Sequence, residues 1–540
     1  MSNHPKRPRS TDIEVGLIVT SVVVLIAFII LMIVNPDGTL DAITAFFNLM
    51  ISGLGPFFEV IAFAAFLVGL YFCFGKYGKI RLGDCKPEYS NFSYFAMMLL
   101  ASLASAALYW SFVEWASYYQ APGLGMEAMS VDAIETSLSY QFFHWGIVNQ
   151  AMYTVMGVAI AYGVYIRKLP SFQTSAVCCA MLGEKVKHKT AIGKIIDFLV
   201  FFGILGALSS SLGLAVPLAT GGLAQLFRIP PTPLVKVGVV VFIAIVYSIT
   251  SFLGPRKGMQ RISNAASAVC VFFLLYVLFM GPTSFILKNI VNSLGRMIEF
   301  LPRMALFTDP ISNTGFVESW TIYFIAFYLN YVAMMGIFIA KVSKGRTIRE
   351  VAIYTMFIMT AGGICIFGIN GSFSIFVHLN GIVDVIGLIQ SGVGDVAIYS
   401  IMKALPLGST LLPFLMLVLI VGFVAPSMDS ASLALAETVT KRGTPPLALR
   451  LFFCVLLALI PMSVILAGAE FTAIKNIAII ISAPFLIILT GTMVGLLKWL
   501  RHDEAAGLHA KNIAIQEEER RREALEREAA ERGAQETAKQ

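Results

Sequence analysis

Charge is what this chain has least of: only 13% of its 540 residues are Asp, Glu, Lys or Arg, where a soluble domain carries about a quarter. Chemistry-bearing clusters are missing too. The histidines at 4, 144, 188, 378, 502 and 509 are scattered, and neither an HExxH pair nor a Gly-rich phosphate loop occurs, which excludes the common zinc hydrolases and ATP-driven machines. Seven cysteines (73, 85, 178, 179, 270, 365, 454) contain no CxxC pair and sit mostly in apolar runs, as small buried hydrophobes do. No cofactor or metal is expected, the chain does not read as an enzyme, and nothing suggests a nucleic-acid partner. A repeated pore loop or a ring of like charge, the marks of a channel, is also lacking.

In place of charge stand long apolar runs, near the ~20 residues that cross a bilayer. The chain is an all-α polytopic membrane protein in which twelve transmembrane helices can be drawn: 13–35, 52–75, 92–119, 139–166, 193–219, 234–254, 262–284, 316–341, 349–376, 409–436, 447–468 and 473–499. No run of small residues for cleavage follows the first span, so 13–35 is expected to be a retained helix. The loops on the side of the N-terminus hold 23 Lys and Arg, those on the other side 7. This asymmetry places both termini in the cytoplasm of a bacterial-type inner (plasma) membrane. Segments 285–304 and 381–404 are amphipathic, suited to the surface or to a vestibule plug. The tail "EEERRREALEREAAERGAQETAKQ" (517–540) has opposite charges at helical spacing, which supports an exposed helix; it reads as a solvated extension or as a regulatory element touching lipid or a neighbouring subunit.

Several spans contain sequence that is costly in hydrocarbon: "SLASAALYWSFVEW" (102–115), "GALSSSLGLAVPLATGG" (206–222), "AGGICIFGINGSF" (361–373) and "GFVAPSMDSAS" (422–432). Gly and Pro there are expected to interrupt helices beside a cavity, as in secondary transporters; the plainer reading is close helix packing. Intramembrane carboxylates are functional suspects by default. Asp197, Glu318 and Asp429 lie near span ends, where water accounts for them. Glu59 and Glu114 lie deeper, and Glu114, with Trp110 and Tyr118 nearby, is assigned to structure or gating ahead of proton coupling.

The motifs "YGKIRLG" (77–83), "PEYSNFSYFAMM" (87–98), "FFHWG" (142–146), "SLGLA" (211–215) and "SKGRTIRE" (343–350) occur in order and resemble those of the betaine/carnitine/choline transporter family. The resemblance runs from about residue 13 to 500. It implies two inverted five-helix repeats of the LeuT type and a homotrimer that works by alternating access. The units are then a cytoplasmic arm 1–12, two peripheral helices with a basic loop 13–91, repeats 92–315 and 316–500, and a charged tail 501–540.

The resemblance also points to a substrate site. The stretch "WTIYFIAFYLNYVAMMG" (320–336) carries no charge and six aromatics, with 320, 324, 327, 328, 331 and 335 able to share one helical face. Relatives place there a tryptophan-rich box around a trimethylammonium group, which lacks N–H donors and is held by ring faces. Here the paired tryptophans correspond to Phe327 and Tyr328. Trp320, Tyr331 and Trp145 are expected to complete the cage, and Met335 to touch the substrate. Sodium-driven relatives have threonine hydroxyls where this chain has Ile204 and Leu208, and a threonine where it has Pro426 beside Ser427. Arg261 lies one position from an arginine that exchangers place at the second ion site. The expected function is therefore sodium-independent exchange of a small zwitterion or quaternary ammonium compound. Uptake driven by Na⁺ or H⁺ is the alternative, and a non-transporting sensor the third reading.

Overall fold

Asn35, Pro36 and Asp37 start a helix where the sequence reading placed a turn. The Asn35 side chain accepts a bond from the Gly38 amide at 3.2 Å, and Pro36 occupies the first helical turn, where its missing N–H costs nothing. The second span therefore runs over Pro36–Phe74 instead of beginning at 52. The computed structural model describes residues 12–101, 105–183, 190–253, 260–442, 445–466, 471–519, 521–522 and 525.

In chain order the helices are α1 (Val15–Val34), α2 (Pro36–Phe74), α3 (Asn91–Ala101), α4 (Ser105–Gln120), α5 (Val131–His144) and α6 (Ile147–Tyr165). Then follow α7 (Thr174–Leu182), α8 (Ala191–Phe227), α9 (Pro233–Leu253), α10 (Gln260–Met280) and α11 (Thr283–Ala305). A π-helical turn (Val317–Thr321) opens α12 (Ile322–Val342), and α13 (Ile348–Ile353) passes through a second π turn into α14 (Met359–Leu379). The rest is α15 (Val385–Gln390), α16 (Gly394–Lys403), α17 (Leu411–Thr438), α18 (Leu447–Leu466) and α19 (Phe471–Ala505). Among the described residues, ten helical stretches are long and apolar enough to cross a membrane. The expected spans 92–119 and 447–468 include residues outside the described set, and their described parts are helical.

The centre of the bundle is α12 against α6, with α2, α8 and α19 around them. The two helices meet with glycine on each side. A β-carbon at Gly157 would lie 2.5 Å from Ile339 Cγ2, and one at Gly336 would overlap Met156, so neither position accepts a side chain. Peripheral helices α1, α9 and α10 turn Val19, Val23, Phe242, Ile245 and Phe272 outward, as lipid contact requires.

Proline and glycine interrupt less than the sequence suggests. Helices α8, α14 and α17 run continuously through Pro217, Gly368 and Pro426, because packed neighbours and hydroxyls such as Ser427 Oγ, donating to Phe423 O at 2.8 Å, absorb the local disturbance. The break falls in the expected 139–166 span instead. Trp145 and Gly146 separate α5 from α6, and a β-carbon on Gly146 would overlap the Phe142 carbonyl. The stretch 102–104 lies outside the described residues. Of the two amphipathic segments, α11 packs along α5 and α14. α16 rests on α8 and α4, with Tyr399 Oη donating to Leu218 O at 2.6 Å.

At the basic end, residues 80–82 pair with 345–348: Leu82 N–H donates to Arg346 O and Gly345 N–H to Leu82 O, each at 2.8 Å. Arg346 is buried, donating to Asn91 Oδ1 at 2.5 Å and Tyr89 O at 2.7 Å and lying over the Tyr94 ring. The motifs 77–83, 87–98 and 343–350 are thus one assembly. Most of the charged run 517–540 lies outside the described residues, but the segment before it is docked. Beyond α19 a helix over 508–519 lies on the 76–81 loop, where Asn512 exchanges bonds of 2.9 and 3.1 Å with the Arg81 backbone and Arg81 also pairs with Glu519. His509 is packed on Tyr77 and bonded to Tyr162 Oη at 3.0 Å.

Burial holds the His509 imidazole below its ordinary value of 6.5. The undocked segment takes up a proton near that ordinary value, whereas the docked one resists it. Docking is therefore at full strength above about pH 6.5 and weakens as pH falls through the lowered value. Hydrogen exchange over 508–519, corrected for intrinsic rates, is expected to be faster at pH 5.5 than at 7.5 in the wild type. His509→Gln should remove that difference; an equal difference in both proteins would assign the docking to other groups.

Candidate functional site

The α5–α6 break projects Trp145 toward α12 and α14. Its ring lies 5.3 Å from Phe324, 5.8 Å from Phe327, 6.4 Å from Tyr328 and 4.9 Å from Phe367. Tyr331 lies 5.0 Å from Phe327, and Tyr153 of α6 stacks on Tyr328 at 5.0 Å. The hydroxyls of this inner tier are tied back. Tyr328 Oη donates to Trp145 O at 3.2 Å and accepts from Gln150 Nε2 at 3.2 Å. Tyr331 Oη donates to Ala207 O at 3.2 Å and shares a 2.7 Å bond with Ser211 Oγ. The hydroxyl edges of Tyr328 and Tyr331 are thus held by hydrogen bonds while their rings pack among aromatic neighbours. Met335 is buried one turn further along α12.

Trp320 belongs to a different level. It meets Trp110 at 5.6 Å and Tyr118 at 5.1 Å, both edge to face, and Tyr118 meets Phe316 at 5.6 Å. From Trp320 to Tyr331 is eleven residues, about 16 Å of helix rise. The expected box is thus two tiers, with Phe324 between them, 6.4 Å from Trp110 and 5.3 Å from Trp145. Helical periodicity put these residues on one face and said nothing of depth.

Behind Trp145 lies a buried polar chain. Glu114 Oε2 accepts from Trp145 Nε1 at 2.9 Å and Glu114 Oε1 from Tyr118 Oη at 2.5 Å. Tyr118 Oη is 2.8 Å from His144 Nδ1, and His144 Nε2 is 3.2 Å from Thr321 Oγ1 on the π turn before α12. The carboxylate and the imidazole approach to 3.9 Å. His144 was not among the residues singled out in the sequence, although it stands inside the "FFHWG" motif beside Trp145.

At the expected ion positions, Ile204 and Leu208 are buried and apolar. The neighbouring oxygens, Ala207 O and Ser211 Oγ, are engaged by the Tyr331 hydroxyl. Near Pro426 and Ser427, Asp429 is buried and not solvated as expected: Arg450 of α18 donates to its Oδ1 at 2.7 Å. Arg261, by contrast, is exposed at the first turn of α10. Asp197 is likewise buried, not hydrated, because the short α7 covers that end of α8. Glu318 is half-buried on the π turn. Among the described residues, no group of three or more His, Cys, Asp or Glu is placed to hold a metal ion.

The chain is similar to known transporters. A carnitine transporter of Acinetobacter baumannii is 36% identical over 451 residues, covering 83% of this chain and 81% of that one. An uncharacterised transporter of Escherichia coli K12, YeaV, is 34% identical over 440 residues, 81% of this chain and 91% of that one. Among solved structures, a substrate-bound, outward-open Na⁺-coupled sialic acid symporter superposes with a TM-score of 0.47 at 12% identity, over 81% of this chain and 86% of that one, a likeness too loose to support a conclusion. The family description "BCCT, betaine/carnitine/choline family transporter" matches residues 16–505. A multi-pass helical chain with an aromatic core, matched along almost its whole length, this protein belongs to the betaine/carnitine/choline transporter family and is a transporter, not an enzyme.

Proposed function

We propose that the chain moves a small quaternary ammonium or zwitterionic compound by sodium-independent exchange across a bacterial-type inner membrane. Trp145, Phe327, Tyr328 and Tyr331 form the cage, Met335 contacts the substrate, and Trp320 with Trp110 and Tyr118 lines the approach. A quaternary ammonium offers no hydrogen to an acceptor, so a wall of ring faces with its hydroxyls tied back suits it. Residues 92–315 and 316–500 are the inverted repeats, both termini are cytoplasmic, and the working form is a trimer.

The observation that carries the exchange assignment is at α8. Sodium is a hard cation and needs several oxygens at short distance. Ile204 and Leu208 supply none, and the Tyr331 hydroxyl already occupies Ala207 O and Ser211 Oγ. The carnitine transporter among the relatives supports an onium substrate. The test is uptake into proteoliposomes with and without internal substrate, at zero and high sodium. Counterflow of labelled carnitine or γ-butyrobetaine is expected to be the same in both salts. Uptake into empty vesicles that follows a sodium gradient would overturn the coupling assignment.

A further inference from the structure

We propose that Glu114 and His144 form a one-proton site behind the cage, occupied in competition with the cationic head group of the substrate. The proposal rests on the cage reading for its ligand and goes beyond it in naming a titrating partner of the site. Proton counting in the buried chain carries it. Tyr118 has one hydroxyl hydrogen and two neighbours, Glu114 Oε1 at 2.5 Å and His144 Nδ1 at 2.8 Å. With the hydrogen given to the carboxylate, Nδ1 must carry its own hydrogen and donate to the phenol oxygen. Only Nε2 then remains to be filled, and it faces Thr321 Oγ1 at 3.2 Å. A hydroxyl donates or accepts by rotating, so a proton is added or removed at Nε2 with no heavy atom moving. Carboxylate and imidazole are both fully buried and 3.9 Å apart, so they titrate as a pair.

The link to the cage is Trp145. Its indole Nε1–H donates to Glu114 Oε2 at 2.9 Å, so the carboxylate lies at the N–H edge of a ring that packs 5.8 Å from Phe327 and 4.9 Å from Phe367. A net negative charge there adds to the attraction between ring and cation; an added proton cancels it. Occupancy of the cage by a cation and occupancy of the pair by a proton therefore oppose each other, and by linkage each weakens the other equally.

Other ionisable groups face this chain. They include Tyr140 on α5 and Tyr323 and Tyr328 on α12, with Glu59 on α2, Arg303 on α11 and Asp309 acting on Tyr140, and Glu318 of the π turn acting on Glu59. Glu59 and Glu318 must be separated by the test.

The probe is tetramethylammonium chloride, which does not titrate. In purified full-length protein, its dissociation constant is expected to rise as pH falls from 8.5 to 5.5, by up to about tenfold per pH unit for one competing proton. In weakly buffered detergent solution a pH dye should report proton release on binding. Glu114→Gln should flatten the profile and abolish release. His144→Gln gives the same reading if the glutamate variant does not fold. Glu59→Gln and Glu318→Gln should each keep the wild-type slope. A wild-type dissociation constant constant within about twofold over that range overturns the proposal, as does a slope that survives in Glu114→Gln or disappears in Glu59→Gln or Glu318→Gln. If tetramethylammonium does not bind, the cage reading fails. The proton site is then read without probe from the part of the tryptophan fluorescence that Trp145→Phe removes, where a flat trace against pH, or one unaltered by Glu114→Gln, overturns it.

Discussion

Replacing Arg450 by methionine while Asp429 stays in place is expected to cost about 3–5 kcal/mol, the penalty for leaving one member of a buried ion pair alone. Asp429 and Arg450 are 2% and 11% exposed at their side chains, and their contact is 2.7 Å. The pair joins α17 to α18 in a region that offers little water. The methionine keeps most of the arginine volume and removes its charge, so the aspartate is left in apolar surroundings. The double variant Asp429→Leu/Arg450→Met removes both charges and should recover most of the loss, since well-packed apolar replacements of buried pairs are often neutral or better. Thermal unfolding in detergent, followed by fluorescence and with the two single variants and the double variant compared, reads the coupling directly. An Arg450→Met protein as stable as the wild type would mean the contact contributes nothing.

The second large effect is expected at Trp145. Exchange for leucine removes a ring from the cage, worth roughly 0.5–2 kcal/mol toward a desolvated cation. It also strips Glu114 of an indole donor, and an acceptor deprived of its partner costs about 1–3 kcal/mol. Together these predict a loss of roughly tenfold to several-thousandfold in affinity for an onium ligand, at about 1.4 kcal/mol per factor of ten. Trp145→Phe keeps an aromatic face and loses only the N–H, so it should fall between the two. Binding measured by isothermal titration separates these cases. Unchanged affinity in Trp145→Leu would place the cage elsewhere, and the outer tier of Trp110, Tyr118 and Trp320 would be the next position to test.

What could be read from the sequence divides along a physical line. Apolar runs fixed the identity of almost every membrane helix, because burying backbone in hydrocarbon demands continuous hydrogen-bonded helix. The 3–4 spacing from 320 to 335 falls on the π turn and α12, a continuous helical stretch. It could not give height along the axis, so Trp320 and Tyr331 were drawn into one box although a rise of about 16 Å separates them. The start of α2 was missed because "NPDGT" has the composition of a turn, and only the Asn35 cap shows it to be a helix start. Buried charge was the least legible. Asp429 and Arg450 are 21 residues apart, on separate helices, and no local pattern announces their meeting. The assembly of Arg346 with Asn91 and Tyr89, and of Leu82 with 345–346, accounts for three motifs that had been recognised without a reason for their composition.

The glycines where α6 crosses α12 bear on how such a molecule changes shape. With Gly157 against Ile339 and Gly336 against Met156, the two helices are seated too closely to slide or swivel past each other without collision. Tyr153 and Tyr328, stacked across that same seam, must ride together. If the chain works by the exchange proposed above, the hinge of its rearrangement lies outside this crossing, and these two helices keep a constant separation.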